Sequence, residues 1–98
     1  MPVIHKFRVL PINEVQHIEM PVGSEITSVI EQHGNVMVYG LINCPDNQTE
    51  KIPVMCVGTG WELNIPDHLS IRRAIGTVKI GHLVWHVLEL EDIDQLPF

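Results

Sequence analysis

Apolar and polar residues alternate in short runs along most of the chain, and no stretch keeps the period of a helix. Alternation at every second residue is typical of a strand with one buried face, because successive side chains point to opposite sides. Gly, Pro and Asn separate the runs at short intervals. The pattern predicts an all-β protein, a small antiparallel β-sandwich or barrel of about seven strands.

Three pairs of neighbouring runs predict hairpins, joining residues 3–10 to 15–20, residues 25–33 to 36–44, and residues 73–80 to 83–90. In the second pair, Gly34-Asn35 fits a two-residue loop with glycine at a positive φ. That loop would set Ile30 opposite Tyr39. In the third pair, Gly81-His82 forms the predicted turn. Hairpins between neighbours therefore account for most of the predicted strands.

Particular residues predict how the remaining segments are placed. The run 36–42 is apolar on both faces, which indicates a central strand, and Gly40 in it predicts a bulge or a close backbone approach. Pro53 cannot donate a backbone hydrogen bond, so it predicts an edge strand or the start of a strand. Residues 58–70 predict a long irregular loop, a kind of connection that often carries function.

The length of 98 residues fits one β domain, predicted as residues 1–90, followed by an acidic C-terminal tail at 91–98. Two interpretations of the tail stay open: it frays, or it docks on a neighbouring subunit through Leu96 and Phe98. Hydrophobic residues make up 45% of the chain, which is high for a domain with one thin core. We therefore expect a homo-oligomer in which a second copy covers apolar surface.

The net charge of −6 excludes a general nucleic-acid groove, which needs a basic surface to displace counterions. No run approaches the roughly 18 apolar residues of a membrane-spanning helix, and the first residues lack the pattern of a signal peptide. We therefore expect a cytoplasmic protein without nucleic-acid or membrane partners. Cys44 and Cys56 lie in apolar runs, which predicts two reduced, buried thiols.

The spacing of the histidines argues against a metal site. His82 and His86 are four residues apart, but on a strand that spacing separates them by about 13 Å at ~3.3 Å per residue. The serines lack a nucleophile elbow, and the carboxylates cluster in the predicted tail. The sequence therefore predicts no catalytic residue, no metal and no cofactor, and we do not expect an enzyme.

The long loop opens with Gly58-Thr59-Gly60-Trp61, which is the best candidate for a binding site. It lacks the lysine and the following helix of a phosphate-binding loop. Two interpretations stay open: a turn with Trp61 capping the core, or a pocket where a planar base stacks on the indole. An arginine would then bind a phosphate, although on a regular strand Arg72 and Arg73 point to opposite faces. The predicted ligand-binding residues are Gly58, Thr59, Gly60, Trp61, His68, Arg72 and Arg73.

Five segments occur in an order that resembles a known family: 18–29, 57–60, 65–66, 75–77 and 84–90. The family consists of small bacteriophage-encoded proteins that carry a domain of unknown function (DUF7352). The resemblance implies a viral origin and action in the host cytoplasm. Some small phage proteins inhibit host immunity by sequestering nucleotide second messengers, and a function of that class follows by analogy only. The resemblance assigns no catalytic residue.

Two main functions are compatible with these observations. The first is a phage-encoded, non-enzymatic binding protein that sequesters a small anionic, nucleotide-like signalling molecule to counter host immunity. The second is an inhibitor or adaptor that binds a host or phage protein through its acidic surface, and a virion or assembly component is a further alternative. A positive pocket within a negative surface would favour the first function, whereas a uniformly acidic face would favour the second.

Overall fold

The computed structural model describes residues 1–95 and contains two antiparallel sheets that pack face to face. The strands are β1 (Val3–Val9), β2 (Gln16–Pro21), β3 (Glu25–Gln32), β4 (Asn35–Ile42), β5 (Thr49–Gly58), β6 (Leu69–Ile80) and β7 (Leu83–Asp92). A single 3₁₀ turn, Ile93–Gln95, follows β7. The predicted all-β sandwich is confirmed, whereas Leu96 and Phe98, for which docking on a neighbouring subunit was one of two interpretations, fall outside the described residues.

The strand order is β1-β4-β3 in the smaller sheet and β2-β5-β7-β6 in the larger one. β4 is central, as its two apolar faces predicted. The predicted N-terminal hairpin is wrong, because β1 pairs with β4 and β2 pairs with β5. Between β1 and β2 the side-chain amide of Gln16 binds both the N–H and the C=O of Leu10, at 2.7 and 2.6 Å. The Gln16 side chain thus satisfies the backbone N–H and C=O of Leu10, which a neighbouring strand would have satisfied in a hairpin.

The turn between β3 and β4 falls one residue earlier than predicted. His33 and Gly34 form its loop, with φ angles of 52° and 81°, which is the conformation of a common two-residue hairpin loop. The register follows from the loop, so Ile30 pairs with Met37 instead of Tyr39. The predicted loop, Gly34-Asn35, is therefore wrong by one position, although the hairpin itself is present.

The larger sheet buries apolar side chains on both of its faces. The main core lies between the sheets, and a Cβ at Gly40 of β4 would lie 2.6 Å from Met20 Sδ of β2. This finding confirms the close approach predicted at Gly40. A second cluster on the other face contains Met55, Val57, Leu88 and Leu90. The long loop packs Ile65 against that second cluster, so the loop is part of the folded structure.

The C-terminal hairpin is confirmed, with Ile80 opposite Leu83. β7 continues to Asp92, two residues past the predicted end of the domain at residue 90. Within the described residues, no helix is long and apolar enough to cross a membrane. The pairing of β6 and β7 positions six of the fifteen residues that line the site described next.

The two cysteines have different environments. Cys56 in β5 is buried, but Cys44 is exposed in the loop that follows β4. The prediction of two buried thiols is therefore wrong for Cys44, because the chain has already left the core there. Burial raises the pKa of the Cys56 thiol to about 11. The Cys56 thiol thus stays protonated near neutral pH, which makes it a poor nucleophile.

Candidate binding cleft

β5 and β7 pair along only part of their length. Residues 54–58 pair with residues 85–89, and beyond this stretch the two strands part. Residues 49–53 then pair only with β2, and residues 90–92 pair only with β6. Pro53 lies in the singly paired part. β5 is an inner strand that begins at Thr49, so the prediction of an edge strand or a strand start at Pro53 is wrong, although Pro53 lacks a neighbour on the β7 side. A cleft of about 610 Å³ opens between the parted strands, and this volume is in the usual range of ligand sites.

Charged side chains give the cleft its electrostatic character. Its four carboxylates and two permanent cations belong to Glu50, Glu89, Glu91, Asp92, Lys51 and Arg72. Its remaining lining residues are Val15, His17, Ser24, Ile52, Pro53, Pro66, His68, Leu69 and Leu90. The net charge of the lining is negative with neutral histidines, and it stays negative when Arg73, which shares Glu89, is included. The cleft therefore favours cationic groups over anionic ones.

Arg72 and Arg73 reach the same carboxylate because β6 has a bulge between Ile71 and Arg73. Ile71 pairs with Leu90 and Arg73 pairs with Glu89, so Arg72 is an extra residue in β6. Arg72 Nη1 lies 2.6 Å from Glu89 Oε2, and Arg73 Nε lies 3.2 Å from Glu89 Oε1. The prediction that the two arginines serve opposite faces is therefore wrong, since regular alternation ends at the bulge.

Glu89 is the buried centre of this cluster, and its side chain is only 5% exposed. Removing a carboxylate from water is costly unless other groups compensate its charge and satisfy its oxygens. Two guanidinium groups do so here, and the hydrogen bond and charge of Glu89 raise the pKa of Arg72. Arg73 also donates to the backbone carbonyl of Ile26 in β3, which ties the two sheets together. Both arginines thus have a structural role that competes with binding a phosphate.

Trp61 lies at the other end of the paired stretch of β5 and β7. Its indole packs on Gly58, where a Cβ would lie 2.8 Å from Trp61 Cε2. It also contacts Trp85 edge-on, with 5.2 Å between the ring centroids. Trp85 belongs to the main core, whereas Trp61 is 44% exposed. The indole of Trp61 therefore caps the edge of the core and keeps part of its surface free.

Thr59 fixes the start of the long loop through a histidine of β7. Thr59 Oγ1 lies 2.7 Å from His86 Nε2, and Thr77 Oγ1 lies 3.1 Å from His86 Nδ1. Hydroxyl groups thus engage both ring nitrogens. In residues 1–95 there is no group of three His, Cys, Asp or Glu side chains placed to hold a metal ion. His86 therefore acts as a link between the loop and β6.

Asn13 holds the middle of the same loop, a role that sequence reasoning missed. Its Nδ2 donates to the backbone carbonyl of Glu62 at 2.8 Å, and its Oδ1 accepts from the Asn64 N–H at 3.4 Å. Asn13 adopts a positive φ of 48°, which asparagine tolerates better than most residues. The segment Pro11-Ile12-Asn13 indicated a turn, but the sequence could not show that Asn13 binds the long loop. A hydrogen bond between residues 13 and 62 leaves no local pattern in the sequence.

The seven predicted ligand-binding residues do not form one pocket. The closed end is the end of β5 and β7 where the two strands pair. Four of the seven residues lie there, next to Trp85 and His86: Gly58, Thr59, Gly60 and Trp61. His68 and Arg72 line the cleft at the open end, and Arg73 contacts Glu89 there. Trp85 and Glu89 are four positions apart on β7, which corresponds to about 13 Å at ~3.3 Å per residue. The structure therefore divides the predicted site into a tryptophan end and a charged cleft.

These features define a small two-sheet β-sandwich whose larger sheet divides at one end. The model of a family described as a domain of unknown function (DUF7352) matches residues 1–96. The chain therefore belongs to that family, in agreement with the resemblance noted in the sequence. No curated protein and no solved structure matches the chain. The cleft and the exposed Trp61 are therefore the features that indicate a function.

Proposed function

We propose that this chain is a non-enzymatic protein-binding module, an inhibitor or adaptor, and that its partner binds in the cleft between β5 and β7. The observation that carries the proposal is the excess of carboxylates around a cleft bounded by two singly paired strands. Such a lining repels nucleotide phosphates and attracts basic groups. Exposed strand edges also offer backbone groups to a polypeptide partner.

Affinity capture with matched charge variants tests this proposal. Glu50→Lys reverses a charge in the cleft lining, and Glu31→Lys makes the same change in β3, outside that lining. We expect the wild type to capture a stoichiometric partner from a lysate of its natural host. Glu50→Lys should lose this partner and Glu31→Lys should keep it. A partner that both variants keep, a partner that both lose, or no stoichiometric partner would contradict the proposal.

Sequestration of a small anionic, nucleotide-like signalling molecule is the second candidate function, and the 44% exposed Trp61 supports it. A base that stacks on a tryptophan gains about 1–3 kcal/mol. Gly60 beside it has a φ of 87° and open space at its α-carbon, so a ligand meets no side chain there. Arg72 and Arg73 contribute less than predicted, because Glu89 already binds both.

Calorimetry against cyclic dinucleotides and cyclic ADP-ribose-type molecules tests this second function. The expected result is binding that Trp61→Ala abolishes and Leu63→Ala preserves. Leu63 is a suitable control because it lies in the same loop and is similarly exposed, at 43% against 44% for Trp61. Flat heats across the panel at concentrations well above micromolar would exclude sequestration of these ligands.

Other expectations from the sequence stay predictions. They are the phage origin, action in the host cytoplasm, a role against host defence, a place in the virion or its assembly, and the homo-oligomer. Val3, Ile4 and Leu83 are exposed apolar residues, and such surface supports an oligomer when a second copy covers it. Native mass spectrometry of the purified chain would report the number of subunits and any bound small molecule together.

A further inference from the structure

We infer that the cleft takes an extended, basic segment of the partner protein, which adds a strand to the singly paired edge of β5. This inference rests on the proposed protein-binding function and names the chemistry of the partner. It combines three observations about the cleft: its free strand edges, its charge, and the alternation of its apolar side chains. The first bears on the conformation of the occupant, the second on its charge and the third on its side-chain pattern.

The strand edges favour a polypeptide in extended conformation. Residues 49–53 of β5 have a strand neighbour only on the β2 side, and residues 90–92 of β7 have one only on the β6 side. Backbone N–H and C=O groups in such positions are available to an added strand. A small molecule satisfies few of them, whereas an extended peptide satisfies alternate groups along its whole length.

The charges favour lysine or arginine side chains on that peptide. Glu50 and Glu91 lie on strand faces turned toward the other sheet, and Asp92 lies on the opposite face, as the pairing register and burial show. A carboxylate is therefore present on both sides of the path that the added strand would follow. Arg72 and Lys51 offset only part of this charge. Lys51 lies on the same face as Asp92 and balances its charge. A basic peptide is therefore favoured where its side chains point toward the other sheet, on the side of Glu50 and Glu91.

The apolar lining residues favour alternation in the occupant. Ile52 is half-buried on the side of the main core, and Leu90 is buried on the side of the second cluster. Successive side chains of an added strand would point alternately to these two sides. A peptide with alternating lysine and valine therefore places its lysines on the side of Glu50 and Glu91 and its valines on the side of Leu90.

A fluorescent heptapeptide of alternating lysine and valine provides the test, measured by fluorescence anisotropy with the full chain at about 0.15 M salt. We expect saturable binding, at least about tenfold weaker binding of the glutamate–valine counterpart, and a similar loss on N-methylation of alternate peptide nitrogens. N-methylation removes backbone donors without changing side-chain charge, so it separates strand addition from general attraction. Glu50→Lys should weaken binding, and the control variant Glu31→Lys should not.

Three results would overturn the inference: no saturable binding of the lysine–valine peptide up to about 100 µM, equal binding of the glutamate–valine peptide, or no effect of N-methylation. Failure of the inference is distinguishable from failure of the proposed function. If Glu50→Lys still loses a captured cellular partner while the heptapeptides fail, the cleft binds a protein of different chemistry. If Glu50→Lys changes neither measurement, both the function and the inference are wrong.

Discussion

The two halves of β5 and β7 behave differently although they belong to the same pair of strands. Where the strands pair, residues 54–58 and 85–89 are mostly apolar, with Glu89 as the one charged residue. Where they part, four of the eight residues, at 50–51 and 91–92, are charged. Pro53 is the first residue of β5 beyond the paired stretch, and a residue without an N–H suits a position where the ladder ends. Apolar burial thus keeps β5 and β7 together in the paired stretch, called the closed half below. Proline and charge keep the two strands apart in the other stretch, called the open half.

The first test removes the charge of Glu89, the last paired residue of β7 before the strands part. Glu89→Gln should lower the free energy of unfolding by about 2–3 kcal/mol, because it leaves two arginines without their carboxylate. The figure is below that of a fully buried pair, since the Arg72 and Arg73 side chains are 54% and 43% exposed. Urea unfolding measures it, with Glu91→Gln as the control. Glu91 lies 4.0 Å from Arg72 Nε, and equal effects of both variants would contradict the account.

The second test probes the closed half through pH. The pKa of Cys56 is raised from 9.0 to about 11 by burial, so the folded state favours the neutral thiol. Its contribution to stability is complete below pH 9 and is lost as the pH rises to 11, by about 2 kcal/mol. Unfolding of the wild type and Cys56→Ala across this range should show the wild type losing more stability. Parallel curves for the two proteins would show that Cys56 does not ionise on unfolding as expected.

The third test releases the loop that covers the closed half. Asn13→Gly keeps the positive φ accessible and removes the side-chain hydrogen bonds to the loop, so it should cost about 1 kcal/mol. Asn13→Ala should cost up to about 1 kcal/mol more, because alanine resists a φ of 48°. Limited proteolysis should cut near Glu62 sooner in both variants. Unchanged cleavage would mean that Asn13 does not hold the loop.

The smallest effect is expected in the open half. Glu50 is exposed, so Glu50→Lys should change the free energy of unfolding by less than about 0.5 kcal/mol. The same variant is expected to weaken partner binding, which would separate function from stability at this residue. Thermal unfolding of Glu50→Lys and Glu31→Lys side by side provides the measurement. A loss of about 1 kcal/mol is expected in Glu31→Lys, because Glu31 Oε1 accepts a hydrogen bond from the Gly34 N–H. A large loss of stability in Glu50→Lys alone would mean that the open half is structural.

The sequence was sufficient for the parts of the fold that depend on local patterns. Alternation predicted the strands, two apolar faces predicted the central β4, and Gly81-His82 predicted the last hairpin. The crossing between β1 and β2 was not predictable in this way, because the Gln16 side chain partners the Leu10 backbone across a turn. Local patterns indicate strands but not always which strands become neighbours.

The candidate site was harder to predict for a related reason. A bulge depends on the pairing of two strands, so the sequence of β6 alone gave no sign that Arg72 and Arg73 would share Glu89. Glu89 itself lies in an apolar run, and a single carboxylate there was the available signal of a buried ion pair. The cleft arises from the parting of β5 and β7, and its local signs in the sequence were Pro53 and the charged residues at 50–51 and 91–92.

The most direct test of the central claim is a nuclear magnetic resonance titration of the ¹⁵N-labelled chain with the lysine–valine heptapeptide. The account predicts that the amide signals of residues 50–52 and 90–92 shift and that hydrogen exchange slows there. The signals of residues 59–61, at the tryptophan end, should stay in place. Shifts centred on residues 59–61, or a saturated complex without shifts along the parted strands, would contradict the claim that the cleft is the binding site.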